Sequence, residues 1–180
     1  WVTAEYSMLP SATPERGVRD IQKLRISPRS SEIQRLIGRA LRSVTDLQTL
    51  CGYTMTVDCD VLQADGGTRT ASITGGCLAL WLACEKLRRE GRLVRNPVHT
   101  MAAAVSAGIF DGRLVLDLDY VEDSGGDADF NMVMTEKGDV IELQGTGEKR
   151  PFSKFELDGL LALGTKGIKE LCAEQRKYMK

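Results

Sequence analysis

Two stretches of this sequence carry residue types at spacings that could do chemistry on a phosphate group. The first is Gly66-Gly67-Thr68-Arg69, which lies between a strand-like pattern and a helical one. Two glycines let a backbone approach an anion closely and turn where other residues cannot. The N–H groups and dipole of a following helix favour a phosphate at that point. Arg69 can supply a forked, charge-assisted contact and Thr68 a hydroxyl. The Walker spacing and its lysine are absent, so this is not a P-loop. The plainer reading of Gly-Gly is an ordinary turn.

The second stretch is acidic: Asp117, Asp119, Glu122, Asp123, Asp127 and Asp129 fall within thirteen positions. Ser124-Gly125-Gly126 can fold the chain back and bring Asp123 and Asp129 face to face. Two converging carboxylates suit a Mg²⁺ that keeps most of its waters and touches a substrate phosphate. Alternatively one of the pair stays protonated and acts as a general acid. The plainer reading is a solvated acidic loop. Together, an anion cradle and a carboxylate pair point to phosphoryl chemistry.

The elements that must position these residues can be read from periodicity. Val2, Ala4, Tyr6 and Met8 alternate with polar residues, predicting a strand at the very start of the chain. Residues 10–31 carry Arg16, Arg19, Lys23, Arg25 and Arg29 among prolines and serines, a basic loop or partly helical excursion. Ile33, Leu36, Ile37, Ala40, Leu41, Val44 and Leu47 predict an amphipathic helix over 31–47. Alternation predicts a strand over 53–61, followed by the Gly-Gly loop and a second helix over 70–90 that opens on small residues. A buried strand over 99–110, the turn Asp111-Gly112, a return strand over 113–118, and a hairpin around Lys137-Gly138 come next. Ser153 and Glu156 form a capping-box pattern at the start of the last helix. Strands and helices mix without strict βαβ alternation, so the expected class is α+β, a layered mixed sheet with packed helices in one domain over residues 1–180.

Composition narrows the field. The 180 residues are 42% hydrophobic and 27% charged, ordinary for a globular chain of one domain. A net charge of −1 means that any RNA binding must come from local basic clusters. No apolar run is long enough for a membrane span and no secretory signal is read, so the expected location is cytoplasmic. Cys51, Cys59, Cys77, Cys84 and Cys172 form no Cys-x-x-Cys pair and are expected as reduced, buried thiols. His99 has no partner in its motif and reads as structural. Ser72 lacks a nucleophile context, which argues against a Ser–His hydrolase.

The block Asp58–Gly75, DCDVLQADGGTRTASITG, resembles the signature of the RNase PH family. So do WVTAEYSMLP at 1–10, EIQRLIGRAL at 32–41, LDLDYVED at 116–123 and Gln144–Thr146. The resemblance implies a phosphate-dependent 3′-to-5′ exoribonuclease that trims tRNA precursors with release of nucleoside diphosphates, and that assembles as a homo-oligomer, a hexameric ring of dimers. It implies inorganic phosphate as co-substrate, held by Arg29, Gly67, Thr68 and Arg69. It implies Asp123 and Asp129 as the Mg²⁺-binding and catalytic pair, with Arg16 and Arg19 on the RNA backbone.

Against that pattern the chain is expected to lack the family's N-terminal stretch, because it opens on Trp1 already within a strand. Ser11 and Pro28 stand where arginine and glycine are expected, and Gly147-Glu148-Lys149-Arg150 replaces a more neutral turn. The alternatives are a non-catalytic RNA-binding ring subunit, an inactive truncated fragment, and a hydrolytic nuclease, which would have no need of a phosphate cradle.

Overall fold

The computed structural model describes residues 1–50 and 52–179, with Ile21 by its backbone only, so Cys51 lies outside the described residues. Packing groups the chain into two compact units, Trp1–Ala64 with Gly75–Met101, and Asp65–Thr74 with Ala102–Lys180. The architecture is mixed α/β, as the element pattern predicts.

In the first unit, strand β1 (Val2–Met8) pairs in parallel with β2 (Met55–Val61), Val2 opposite Met55 and Met8 opposite Val61. Parallel neighbours require a crossover, and the segment between them supplies it with a 3₁₀ turn at Asp20–Lys23 and helix α1 (Pro28–Ser43). This is one βαβ unit in a chain that reads as lacking strict alternation. The two strand patterns are alike whether the pair runs parallel or antiparallel, so periodicity alone does not reveal it.

Helix α1 starts at Pro28, three residues before the periodicity suggests. Ser27 caps it by accepting the Ser30 N–H at 3.0 Å, and Pro28 at the first helical position has no N–H to leave unpaired. Its apolar stripe, Ile33, Leu36, Ile37, Ala40 and Leu41, is buried with Val2, Ala4 and Tyr6 of β1. Val44 ends it, and Thr45 turns away into an isolated bridge with Val98. The His99 N–H bonds the Val44 carbonyl at 3.0 Å while its side chain is exposed.

Helix α2 (Thr68–Arg89) contributes its first turns to the second unit and the remainder to the first. A Cβ on Gly76 would sit 3.4 Å from Val57 Cγ1 and 3.8 Å from Leu41 Cδ1, the close packing that its small residues suggest.

The second unit is an antiparallel sheet in the order β4-β3-β5-β6, made of β3 (Ala102–Phe110), β4 (Arg113–Leu116), β5 (Ala128–Thr135) and β6 (Val140–Gly147). The β3–β4 turn carries Asp111 and Gly112 at φ 49° and 69°, the hairpin geometry expected of Asp-Gly. Helix α4 (Lys154–Lys177) covers one face of the sheet, with Gly159, Gly164 and Gly167 leaving room for Leu114, Met132 and Leu116. Its start has both halves of the Ser153–Glu156 capping box.

The acidic corner is helical rather than a loop. Asp119 caps helix α3 (Tyr120–Gly125) through a capping box with Glu122, a pattern that the crowding of carboxylates obscures in the sequence.

Cys59, Cys77, Cys84 and Cys172 are free thiols, the last three buried, and burial pushes the Cys84 thiol up to about 11. Among the described residues, no helix is long and apolar enough to cross a membrane.

Candidate active site

The Gly-Gly-Thr-Arg loop and the acidic corner both belong to the second unit and are built on the same strand, β3. The chain reaches Asp65, turns through Gly66 and Gly67, and enters α2 at Thr68. Gly67 has φ 69°, a left-handed conformation that a side chain would strain. Gly66 is needed for a different reason. A Cβ there would collide with the Leu118 carbonyl oxygen and sit 2.8 Å from the Leu118 carbonyl carbon. The loop therefore lies in backbone contact with the strand-to-helix corner that begins the acidic segment.

The helix start is locked locally. The Gly67 carbonyl accepts the Ala71 N–H at 3.0 Å and the Thr70 hydroxyl at 2.8 Å. Thr74 Oγ1 accepts the Ala104 N–H at 3.0 Å and lies 3.2 Å from the Ala104 carbonyl, fixing the first turns of α2 to β3. The first N–H groups of a helix have no acceptor within it, so this end offers donors and a positive dipole to an anion. Thr68 and Arg69 are both half-buried. A cleft of about 770 Å³ opens at the loop with Gly66, Gly67, Thr70 and Asp117 on its wall, while Arg69, Asp123 and Asp129 lie outside that wall.

The acidic corner is tied to β3 through Ser106, which is buried. Its carbonyl accepts the Asp117 N–H at 2.7 Å and its hydroxyl accepts the Leu118 N–H at 3.2 Å. Asp117, at φ 59°, redirects the chain into α3. Asp123 lies within that helix, its N–H bonded to the Asp119 carbonyl at 2.9 Å. Asp129 lies on β5 opposite Gly108 of β3, so it shares a sheet face with Ser106 and Ala104, to which the start of α2 is fixed.

Asp129 is held in its neutral form more readily than an ordinary aspartate. Burial pushes it above the usual aspartate range, the charges of Asp123 and then Glu148 push it further, and Arg69 pulls it back. Its Oδ1 is buried without a hydrogen-bond partner. The two sequence-predicted clusters thus meet, because Arg69 of the loop and Asp123 of the corner both act on Asp129.

Asp127 does something else. Its carboxylate accepts Arg150 Nε at 3.1 Å, and Arg150 in turn bonds Glu156 at 2.7 Å. The unexpected basic turn is therefore a clamp between the acidic corner and the cap of α4, and it holds the Glu156 carboxyl down at about 2.

Arg29, Arg16 and Arg19 belong to the first unit. Arg29 is exposed in the first turn of α1 rather than ahead of the helix. Arg16 is exposed and Arg19 half-buried, just before the 3₁₀ turn. Three participants escape the sequence reading: Asp65 and Ser106, which hold the loop and the corner, and Glu148, whose charge reaches Asp129. Only Glu148 had a signal, in the β5–β6 register that brings the end of β6 beside Asp129.

A helix start that suits an anion, coupled electrostatically to a carboxylate pair, is the class of site that phosphoryl transfer uses. Comparison with known proteins makes the assignment specific. Residues 1–84 match the 3′ exoribonuclease family, domain 1, and residues 100–167 match domain 2 of the same family. The chain is 56% identical over 179 residues to ribonuclease PH of Syntrophomonas wolfei, covering 99% of this chain and 75% of that one. It is 55% identical over 177 residues to ribonuclease PH of Bacillus pumilus, covering 98% and 73%. Among solved structures it is similar in fold to an Archaeoglobus fulgidus exosome with RNA bound to the active site (TM-score 0.75, 21% identity, 99% of this chain and 70% of that one). It is also similar to rice (Oryza sativa) Rrp46 (TM-score 0.71, 18% identity, 97% and 71%). The chain belongs to the 3′ exoribonuclease family, as a phosphorolytic enzyme of the ribonuclease PH type.

Proposed function

We propose that Arg29, Gly67, Thr68 and Arg69 hold inorganic phosphate, that Asp123 and Asp129 form the catalytic carboxylate pair, and that the substrate is the 3′ end of a tRNA precursor. An oxygen of the held phosphate attacks the last phosphorus of the RNA. The P–O3′ bond to the preceding nucleotide breaks, a nucleoside diphosphate departs, and the freed 3′-oxygen takes a proton. Phosphate is a poor nucleophile, so holding it in line and offsetting its charge supply most of the acceleration. The helix N-terminus and Arg69 do the offsetting on the phosphate side.

The observation that carries this reading is the electrostatic meeting of Arg69, Asp123 and Asp129 within one unit. It also supports a Mg²⁺ ion. A buried carboxylate oxygen without a partner, pressed by two further carboxylates, is what a hard cation would relieve. Two carboxylates suffice for an ion that keeps most of its waters. Asp123 and Asp129 would hold it, and when bound it would polarise the phosphoryl oxygens. Arg16 and Arg19 would contact the RNA backbone. We assign the 180 residues to one RNase PH-like domain acting in a homo-oligomeric, hexameric ring in the cytoplasm.

The test is incubation of the chain with a 3′-tailed RNA, with and without phosphate and Mg²⁺, following nucleoside diphosphates. Diphosphates are expected only with phosphate. Arg69→Ala is expected to raise the phosphate requirement on the order of a hundredfold while RNA binding survives. Phosphate-independent release of monophosphates would overturn the reading.

A further inference from the structure

Asp65 precedes the phosphate loop, is exposed, and has no role in the mechanism above. Its Oδ1 nevertheless accepts two backbone N–H groups, that of Gly66 at 3.0 Å and that of Tyr120 at 2.6 Å. Gly66 opens the phosphate loop. Tyr120, 55 residues further on, is the first residue of α3, the helix that carries Asp123. A single carboxylate oxygen thus joins the start of one candidate cluster to the start of the other.

The chemistry explains why an acid stands here. The first N–H of a helix has no acceptor within the helix, and a carboxylate satisfies it through a charge-assisted bond aligned with the dipole. The steric facts say what the bond controls. The backbone of the loop already touches that of the corner, with Gly66 pressed on the Leu118 carbonyl. Contact of this kind prevents closer approach but permits sliding along the shared surface. On the corner's other side, Ser106 holds residues 117 and 118 to β3. Asp65 adds a directional restraint, which opposes sliding of the loop past the first turn of α3.

A negative charge next to a phosphate-binding loop also repels the ligand. Both of its protein bonds converge on one oxygen, so the residue is placed to tie backbone rather than to meet substrate.

We infer that Asp65 is a positioning residue that keeps the phosphate loop in register with the helix bearing Asp123, so that bound phosphate and the carboxylate pair meet at a productive angle. The inference rests on the assignment of those two clusters to phosphate and catalysis.

The experiment compares the parent chain with Asp65→Ala and Asp65→Asn. Alanine removes the acceptor, whereas asparagine keeps an oxygen acceptor and removes the charge. Asp65→Ala is expected to raise KM for phosphate about tenfold and to lower kcat by a similar factor, with KM for RNA unchanged. Asp65→Asn is expected to restore kcat to within about threefold of the parent, with a phosphate KM equal to the parent's or lower. Amide exchange at Gly66 and Tyr120 should be slow in the parent and in the asparagine variant, and fast in the alanine variant.

A residue that only stabilises the fold would reduce the active fraction and leave KM for phosphate alone. An unchanged phosphate KM in Asp65→Ala therefore overturns the inference, as does unchanged exchange at Tyr120. An asparagine variant as impaired as the alanine variant overturns it too, since charge rather than the tie would then be at work. If the parent chain itself shows no phosphate dependence, the functional reading falls first, and this is seen before any variant is made.

Discussion

Arg69 and the arginines of the basic segment are the same residue type in two different settings. The loop from Asp65 to Thr74 is held at nearly every step: Gly66 by contact with Leu118, Gly67 and Thr70 by mutual bonding, and Thr74 by Ala104. Among the described residues, the segment from Pro10 to Ser27 has fewer anchors for its length. Ala12 is buried and its carbonyl accepts the Ala64 N–H at 2.7 Å, the Gly17 N–H bonds the Pro10 carbonyl, and the Asp20 carboxylate accepts the Ser27 N–H at 2.9 Å. Arg16, Lys23 and Arg25 project from it exposed. A guanidinium on a pinned backbone can fix the direction of a bound anion, whereas one on a lightly anchored segment supplies charge without direction. The contrast predicts large, geometry-sensitive effects in the first region and small, salt-sensitive ones in the second.

Asp129 should show the largest effect. Asp129→Asn is expected to cut turnover about a hundred- to a thousandfold, since the charge that would serve metal and proton transfer is gone. The fold should not suffer. Because the carboxyl is pushed above its ordinary value of 3.8 by burial and by Asp123, its ionisation costs stability. That cost is absent below the ordinary value and grows as pH rises through the raised folded value. The asparagine variant should therefore be more stable than the parent at neutral pH, the two converging in acid, as urea unfolding without Mg²⁺ would reveal. A variant that loses stability as well as turnover would make the corner a structural feature.

Gly66 tests the contact that makes the loop rigid. Adding a methyl group drives it into the Leu118 carbonyl, so Gly66→Ala should cost about 1–3 kcal/mol in unfolding free energy, with a fall in turnover at saturating RNA. Gly75→Ala is the control within α2, because nothing lies within 4 Å of the added carbon. It should gain up to about 1 kcal/mol from helix propensity and leave turnover as it was. Equal behaviour of the two variants would erase the distinction between pinned and free backbone.

Legibility in the sequence follows the same division. Glycines, Thr68, Arg69 and the paired aspartates could be singled out because their types are chemically informative wherever they fall. Asp65 and Ser106 could not, since their work depends on which backbone N–H groups a distant segment brings to them: those of Tyr120 for one and Leu118 for the other. The hairpins were legible from Asp111-Gly112 and Lys137-Gly138, because turn chemistry is local. The parallel pairing of β1 with β2 was not, since the same alternation serves either direction. Helix α3 illustrates a competing signal. Asp119 and Glu122 stand at capping-box spacing, yet six carboxylates in thirteen positions read first as a solvated loop.

The basic segment should yield the smallest effects and a different signature. Arg16→Ala and Arg19→Ala are each expected to weaken RNA binding a few-fold, and to lower the slope of log affinity against log salt by about 0.7 for each single-strand phosphate that the variant no longer neutralises. At saturating RNA and low salt, kcat should match the parent, because neither side chain has a pinned geometry to contribute. The salt slope is the decisive quantity, since a general loss of folded protein would lower apparent binding without changing it. If either variant lowered kcat and left the slope intact, that arginine would belong with Arg69 as a directional contact, and the lightly anchored segment would have to order itself around bound RNA.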